Sequence, residues 1–214
     1  MTFFDAHTHT ISSDENVFSI VNTYPNSTNF TNAFSVGIHP WFINKENLNN
    51  ELLIVEQKLQ EKNCFALGEC GLDKITKTDF ELQKTVFKNQ ILLSEKHKKP
   101  LIIHCVKAFQ EIIEIKKMIK PTQIWVLHGF NKNLQVAESL LKNGFIVSFG
   151  AAIINNKKLQ DVVLNISLEN ILLETDDSEV TIQEVYQKIA SIKNIEVKEL
   201  QQKIEQNFKR IFKR

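Results

Sequence analysis

Two histidines one residue apart end an apolar stretch at the start of the chain, within the motif FDAHTH at residues 4–9. Side chains at positions i and i+2 of a β-strand point to the same face, so the imidazoles of His7 and His9 would converge on one spot. Neutral imidazole is a frequent ligand of transition metals, and the pair therefore predicts half of a metal site. A His-x-His pair also occurs by chance in loops, so this prediction depends on ligands from elsewhere in the chain.

Further ligand-type side chains stand where other apolar stretches stop. They are His39, Glu69, His104, His128 and Asp176. Taken singly, His104 or His128 could be a hydrogen-bonded core histidine, and Asp176 could be a helix N-cap. Glu69 is harder to explain in that way, because it follows an apolar run and an unpaired buried carboxylate is costly.

These donors are too many for one tetrahedral ion, and they suit a pair of divalent cations. The predicted metal ligands are His7, His9, Glu69, His104, His128 and Asp176. We expect Glu69 to bridge the ions, with one ion on His7, His9 and Asp176 and the other on His104 and His128. Two cations about 4 Å apart would bind the oxygens of a phosphodiester and lower the pKa of a bridging water, whose proton Asp176 would accept. Zn²⁺, Mg²⁺ and Mn²⁺ cannot be distinguished from this donor set.

The elements that must position these residues alternate along the chain. Short apolar runs ending near residues 8, 23, 38, 68, 103, 127, 149 and 175 predict eight strands. Helical periodicity predicts helices over 45–62, 79–98, 108–119, 134–142, 157–164, 182–192 and 198–212. Alternation of strands and helices predicts an α/β protein, a (β/α)₈ TIM barrel shortened in its first two β/α units. The active sites of such barrels lie where the strands end, which is where the candidate ligands stand.

Composition is that of an ordinary globular protein, with 43% hydrophobic and 24% charged residues in a chain of 214. We expect one domain over residues 1–214. The net charge of +1 does not by itself indicate a nucleic-acid partner. Three cysteines without paired spacing, and the lack of a secretory or membrane-spanning segment, favour a cytoplasmic protein with no membrane association. The sequence shows no obvious exposed apolar stripe, so we expect no obligate protein partner.

Six motifs, in this order and spacing, resemble those of the TatD family of metal-dependent hydrolases, in the wider amidohydrolase-like group. They are FDAHTH at 4–9, GIHPW at 37–41, GECGLD at 68–73, IHC at 103–105, HGF at 128–130 and ETD at 174–176. The resemblance covers nearly the whole chain. It implies a TIM barrel, two divalent metal ions and hydrolysis, usually deoxyribonuclease activity and often 3′ to 5′ exonuclease activity. The implied substrate is DNA, as single strands or 3′ ends.

The resemblance also implies roles for individual residues. It gives the same six metal ligands as the strand-end argument, and it makes His39 a catalytic, substrate-side group near the phosphate. A histidine before proline can also simply shape a turn. Trp41 would stack on a base, with a packed rim aromatic as the alternative. Lys107 is the nearest cation to the position where the family usually carries an arginine, and we expect it to bind substrate.

Three departures from the family pattern bear on the substrate. The region between His9 and Gly37 is much shorter than usual, Val106 stands at the usual arginine position, and Asp177 replaces a usual proline. Lysine cannot grip phosphate in the bidentate way that arginine does. The first hypothesis is therefore a deoxyribonuclease with a two-metal site. The alternatives are a hydrolase of a small ester, amide or phosphoester, and a non-catalytic binding barrel, although none of the six ligands is missing.

Overall fold

The computed structural model describes residues 2–212, and eight strands cover the positions predicted for them. They are β1 (Phe3–Thr8), β2 (Val17–Thr23), β3 (Phe34–Val36), β4 (Cys64–Asp73), β5 (Leu101–Val106), β6 (Trp125–Leu127), β7 (Phe145–Phe149) and β8 (Ile171–Leu173). The largest difference from prediction is in β4. The apolar run predicts a strand that stops before Glu69, whereas the observed strand continues through Glu69 to Asp73 and is buried throughout.

Seven α-helices follow the strands from β3 onward. They are α1 (Leu48–Lys58), α2 (Phe80–His97), α3 (Phe109–Ile119), α4 (Leu134–Lys142), α5 (Lys157–Asn165), α6 (Ile182–Lys193) and α7 (Val197–Phe212). Each lies within a few residues of its predicted bounds. Within residues 2–36 no α-helix is found, as expected for shortened first units. A short 3-10 helix over Pro40–Phe42 precedes α1.

The strands follow one another in the sheet in chain order, from β1 to β8. The described ladders are parallel, including those of β1 with β2, β3 with β4, β4 with β5 and β7 with β8. A further parallel bridge joins Thr8, at the end of β1, to Asp176, just after β8. This strand order and its helical connections are those of the predicted (β/α)₈ fold.

Contacts divide the chain into two compact units. The first unit comprises Met1–Val21 and Leu127–Arg214, and the second comprises Asn22–Val126. In the first, the ring of Phe4 packs against Phe208 at a centroid distance of 4.7 Å, which fastens α7 to β1. In the second, the rings of Phe87 and Trp125 lie 5.5 Å apart and join α2 to β6. The expectation of a single domain over 1–214 stays a prediction.

Helix α2 departs from its predicted pattern of burial. Its periodicity predicts an apolar stripe that includes Leu92, yet Leu92 is 62% exposed. Val86, Phe87 and Ile91 are fully buried as expected. Two glutamines, Gln83 and Gln90, take buried positions on the same helix. Apolar periodicity cannot find such residues, because their burial depends on the polar backbone groups they meet.

Candidate metal centre

The first unit brings four of the predicted ligands together, those at the ends of β1, β6 and β8. One carboxylate oxygen of Asp176 lies 3.4 Å from Nε2 of His7 and 3.3 Å from Nε2 of His9. The rings of His7 and His128 are 4.4 Å apart. Ligand atoms of His7, His128 and Asp176 all lie within 4.8 Å of one another, a spacing that one ion could span. His7 is buried and His9 is exposed, so the cluster extends from the interior to the surface.

Backbone hydrogen bonds fix Asp176 beside β1. The amide of Asp176 donates to the carbonyl of His7 at 3.0 Å, and the carbonyl of Asp176 accepts from the amide of His9 at 2.9 Å. Asp176 has a left-handed backbone with φ of 56°, which a non-glycine residue adopts at some cost. Because His7 and His9 bind both sides of the Asp176 backbone, its carboxylate is directed toward these two histidines.

The carboxylate of Asp176 is ionised at neutral pH. Burial favours its protonated form, but hydrogen bonds from His7 and His9 and the nearby charge of His128 outweigh burial and hold its pKa well below the ordinary range. An ionised carboxylate is needed both for binding a cation and for accepting a proton.

Asp5 is a supporting residue to which sequence reasoning gave no role. It is 3% exposed. One of its oxygens accepts from the hydroxyl of Thr175 at 2.7 Å, and the other accepts from the Thr175 amide at 3.1 Å. Burial raises the pKa of Asp5 to about 7; the hydroxyl bond opposes this rise and the charge of Glu174 adds to it. These bonds fasten the residue before Asp176 to β1.

Glu174 is a second buried carboxylate in this unit. One oxygen accepts from the amide of Gly129 at 2.5 Å and lies 3.8 Å from Nδ1 of His128. Its other oxygen is buried, with no hydrogen-bond partner in the described part of the chain. A carboxylate beside the outer nitrogen of a histidine commonly orients that histidine toward a metal. At 3.8 Å, Glu174 lies beside Nδ1 of His128 but is too far away for a hydrogen bond to it.

The second unit brings together His39, which follows β3, with Glu69 and His104, which lie within β4 and β5. One oxygen of Glu69 lies 3.2 Å from Nε2 of His39 and 3.0 Å from Nδ1 of His104. Glu69 and His39 are each 4% exposed. Gly71 lets β4 lie close to β5 at His104, because a side chain at position 71 would strike the backbone of His104. The φ of Gly71, 144°, also favours glycine.

The hydrogen bonds of His39 distinguish it from the predicted ligands. Its Nδ1 accepts from the amide of Trp41 at 3.1 Å. A neutral imidazole has one lone pair, so this bond places the proton on Nε2, which then points as a donor at Glu69. His39 is therefore better suited to donate a hydrogen bond than to bind a metal ion.

Asp73 is the main residue that sequence reasoning missed. It is fully buried, and one of its oxygens lies 2.9 Å from Nε2 of His104 and 2.6 Å from Nε1 of Trp41. Burial works to raise its pKa, but the hydrogen bonds from His104 and Trp41 outweigh burial and lower it. Glu69, Gly71 and Asp73 share a face of β4, a relation that is seen only once the strand is known to continue past Gly68 and Gly71.

Two buried glutamines of α2 hold the strand ends that carry this cluster. Gln83 accepts from the backbone amide of Asp73 at 2.8 Å and donates to its carbonyl at 3.0 Å. Gln90 accepts from the backbone amide of Ile38 at 2.7 Å and donates to its carbonyl at 3.0 Å. The seven-residue spacing puts both amides on one face of the helix. They thereby fix the backbone that presents Asp73 and His39.

Of the predicted substrate contacts, Trp41 adjoins the second cluster and Lys107 lies at the end of β5. Trp41 is 53% exposed, although its indole nitrogen is engaged by Asp73. Lys107 is exposed and directly follows β5. The substrate roles of both residues stay predictions, as does the assignment of Glu69 to two ions.

The donor sets fit divalent cations. The first unit offers imidazole nitrogens of His7, His9 and His128 with the carboxylate of Asp176, and the second offers His104 with Glu69. Such mixtures of nitrogen and oxygen suit Zn²⁺, Mn²⁺ and related ions. Each unit also places a further buried carboxylate, Glu174 or Asp73, beside a candidate ligand histidine. Carboxylates that lie beside a ligand histidine are typical of metal sites. Burying an ionised carboxylate costs free energy, so two such residues beside candidate ligands favour a metal centre.

The strand order is that of a β/α barrel, and histidines and carboxylates cluster near the ends of its strands. These two features place the chain among the β/α-barrel proteins with candidate metal ligands at that position. The sequence profile described as TatD related DNase matches residues 7–213, and the chain belongs to this family of metal-dependent hydrolases. The resemblance drawn from the six motifs is thus confirmed.

Individual relatives agree with this family. The chain is 36% identical over 146 residues to an uncharacterized metal-dependent hydrolase of Buchnera aphidicola, covering 66% of this chain and 54% of that protein. It is 28% identical over 197 residues to the uncharacterized metal-dependent hydrolase YabD of Bacillus subtilis, covering 84% and 76%. A human relative named 3′-5′ RNA nuclease TATDN2 is 34% identical over 147 residues, which is 65% of this chain and 19% of that protein. The chain thus spans about half of the Buchnera relative and a fifth of the human one.

Solved structures confirm the fold. The crystal structure of YjjV, a TatD homologue from Escherichia coli, superposes with a TM-score of 0.84 at 21% identity and covers 98% of this chain and 97% of that one. A TatD-family hydrolase from Entamoeba histolytica gives 0.80 at 17% identity and covers 99% and 98%. The predicted TIM-barrel class is therefore correct.

Proposed function

We propose that the protein is a divalent-metal-dependent deoxyribonuclease that hydrolyses phosphodiester bonds at the 3′ ends of DNA. The observation that carries the proposal is the position of imidazole and carboxylate clusters at the ends of the strands. Names of relatives support a nucleic-acid substrate: one from Vairimorpha ceranae, 28% identical over 160 residues, is called a putative deoxyribonuclease.

The proposed ligands are those predicted from the sequence, with Glu69 serving both ions. Bound divalent cations would polarise a phosphoryl oxygen and lower the pKa of a water molecule. Asp176, which is ionised at neutral pH, would hold one ion and take up the proton of the attacking water. Asp73 would keep His104 oriented, so that Nδ1 of His104 serves as a ligand atom.

His39 would act on the substrate rather than on a metal ion. Its Nε2 proton, directed at Glu69, is placed to donate to a phosphate oxygen that enters beside that carboxylate. Nearly complete burial of the ring limits competition from water. The proposal thus gives His39 the substrate-side role that the family resemblance implied.

A second candidate function is hydrolysis of a small phosphoester, ester or amide. Val106 stands at the usual arginine position, and Lys107 beside it is exposed. Without the bidentate grip of an arginine, a long phosphate backbone would be held less firmly.

The test is cleavage of single-stranded DNA by the purified protein with Mg²⁺, Mn²⁺ or Zn²⁺. Oligonucleotides with free and blocked 3′ ends, a matching RNA and p-nitrophenyl esters and phosphates would be compared. We expect the free 3′ end of DNA to be shortened stepwise and the blocked end to resist. Preference for RNA, or hydrolysis of the small esters alone, would contradict the proposal.

Glu69→Gln tests the assignment of the centre in the same assay. Losing a ligand should lower kcat/KM by more than the roughly 10- to 100-fold that loss of an outer partner costs. Glu138→Gln, an exposed glutamate on α4, is the matched control and should cleave normally. Full activity of Glu69→Gln would refute the role of Glu69.

A further inference from the structure

A cavity of about 260 Å³ opens directly beside His39 in the second unit. Its apolar wall consists of Tyr24, Pro25, Ile38 and Phe42. His39 also lines the cavity, and it belongs to the cluster around Glu69. A group bound in the cavity would therefore lie next to the candidate reaction centre.

Two aromatic rings shape the mouth of the cavity. Phe42 is 57% exposed, although a phenylalanine normally gains stability by being buried. Its ring lies 5.3 Å from that of Tyr24, nearly perpendicular to it, and 5.5 Å from that of His39. Flat apolar faces in this arrangement suit a planar ring, which gains by edge and face contacts at such distances.

Charge argues against a phosphate group in the cavity. None of the eight described residues that line it is a lysine or arginine, and Glu51 contributes a carboxylate. Its volume is also below the roughly 300–1,000 Å³ of pockets that hold a whole small molecule. A single uncharged ring, carried by a substrate whose phosphate lies elsewhere, matches both properties.

Trp41, beside Phe42, is engaged in a different way. Its indole nitrogen donates to Asp73, which also contacts His104, and Trp41 does not line the cavity. Trp41 thus braces the carboxylate behind a candidate metal ligand. The neighbouring Phe42 remains the aromatic residue available to a bound molecule.

We propose that this cavity is a subsite for a nucleobase attached to the scissile phosphodiester, with Phe42 and Tyr24 as its ring contacts. The inference rests on the proposed function and gives it a substrate feature: a base beside the cleaved bond. Every base presents a flat face, so the subsite would accept different bases. In this proposal the base stacks on Phe42, whereas the sequence analysis predicted stacking on Trp41.

The experiment compares two single-stranded DNA oligonucleotides that differ only in the terminal 3′ nucleotide, which is either intact or abasic. The metal-loaded protein should cleave the intact oligonucleotide with a kcat/KM about 5- to 150-fold higher, the range expected for one stacked base. Phe42→Ala should shrink this ratio toward one, and Phe42→Leu, which keeps apolar bulk without a flat face, should do so in part.

Leu92→Ala is the matched control. It alters an exposed apolar side chain of α2, away from the cavity lining, and should preserve the ratio between the two oligonucleotides. An equal rate on both oligonucleotides by the wild type, or an unchanged ratio in Phe42→Ala, would overturn the subsite.

Failure of the subsite can be told apart from failure of the proposed function. If DNA is cleaved without regard to the terminal base, the nuclease proposal stands and the subsite falls. If no oligonucleotide is cleaved but small phosphoesters are, the nuclease proposal falls. The effect of Phe42→Ala on the ratio of phenyl to methyl phosphoester hydrolysis then decides the subsite: the ratio should fall relative to the wild type, and an unchanged ratio would overturn the subsite.

Discussion

At the residue scale, two of the candidate ligand histidines have a further buried carboxylate beside them. Asp73 contacts His104, and Glu174 lies beside His128. The six proposed ligands could be named from the sequence because each follows an apolar run. The outer carboxylates could not be assigned, because their role depends on which histidine each one meets after the chain has folded.

Asp73→Asn tests the role of the carboxylate beside His104. The variant keeps the size of the side chain but removes the negative charge that faces Nε2 of His104, so the ring is less well fixed as a ligand. We expect the dissociation constant for Mn²⁺ or Zn²⁺, measured by titration calorimetry, to rise about 10- to 100-fold.

Two further variants serve as comparisons for Asp73→Asn. Trp41→Phe removes only one donor to Asp73 and should weaken metal binding less than Asp73→Asn does. Asp161→Asn, on the exposed face of α5, should bind metal as the wild type does. Wild-type affinity in Asp73→Asn would show that Asp73 has no part in orienting His104.

At the scale of elements, α2 is the helix that most directly supports the site. Its bounds were predicted within one residue at each end, since Asp79 caps its start and Pro100 follows its end. Its buried face was predicted less well. Gln83 and Gln90 are buried because they pair backbone groups of Asp73 and Ile38, near the ends of β4 and β3. The pattern of apolar residues along the sequence does not show which backbone groups need such partners.

Gln90→Leu should destabilise the protein although it makes a buried position more apolar. The substitution leaves the amide and carbonyl of Ile38 without their partners, at a cost on the order of 2–4 kcal/mol in the free energy of unfolding. Urea denaturation would measure this loss. Gln57→Leu, at an exposed site on α1, should change the free energy by less than about 0.5 kcal/mol. Equal stability of the two variants would contradict the anchoring role of Gln90.

At the scale of the whole molecule, the alternation of strands and helices was enough to predict the (β/α)₈ class and its shortened start. The order of strands followed from the same alternation, because parallel neighbours need a crossover between them. The extension of β4 to Asp73 was not predicted, since Gly68 and Gly71 resemble strand breakers in sequence. No helix within residues 2–212 is long and apolar enough to cross a membrane. A cytoplasmic location stays a prediction.

The proposed hydrolysis depends on bound divalent cations, and removing and restoring the metal tests this dependence. Protein stripped with a chelator would be assayed on 3′-labelled single-stranded DNA before and after titration with Mn²⁺, while bound metal is quantified in the same samples. We predict that stripped protein is inactive and that cleavage rises in proportion to bound metal. Undiminished cleavage by metal-free protein, or failure of the protein to take up any metal, would contradict the account.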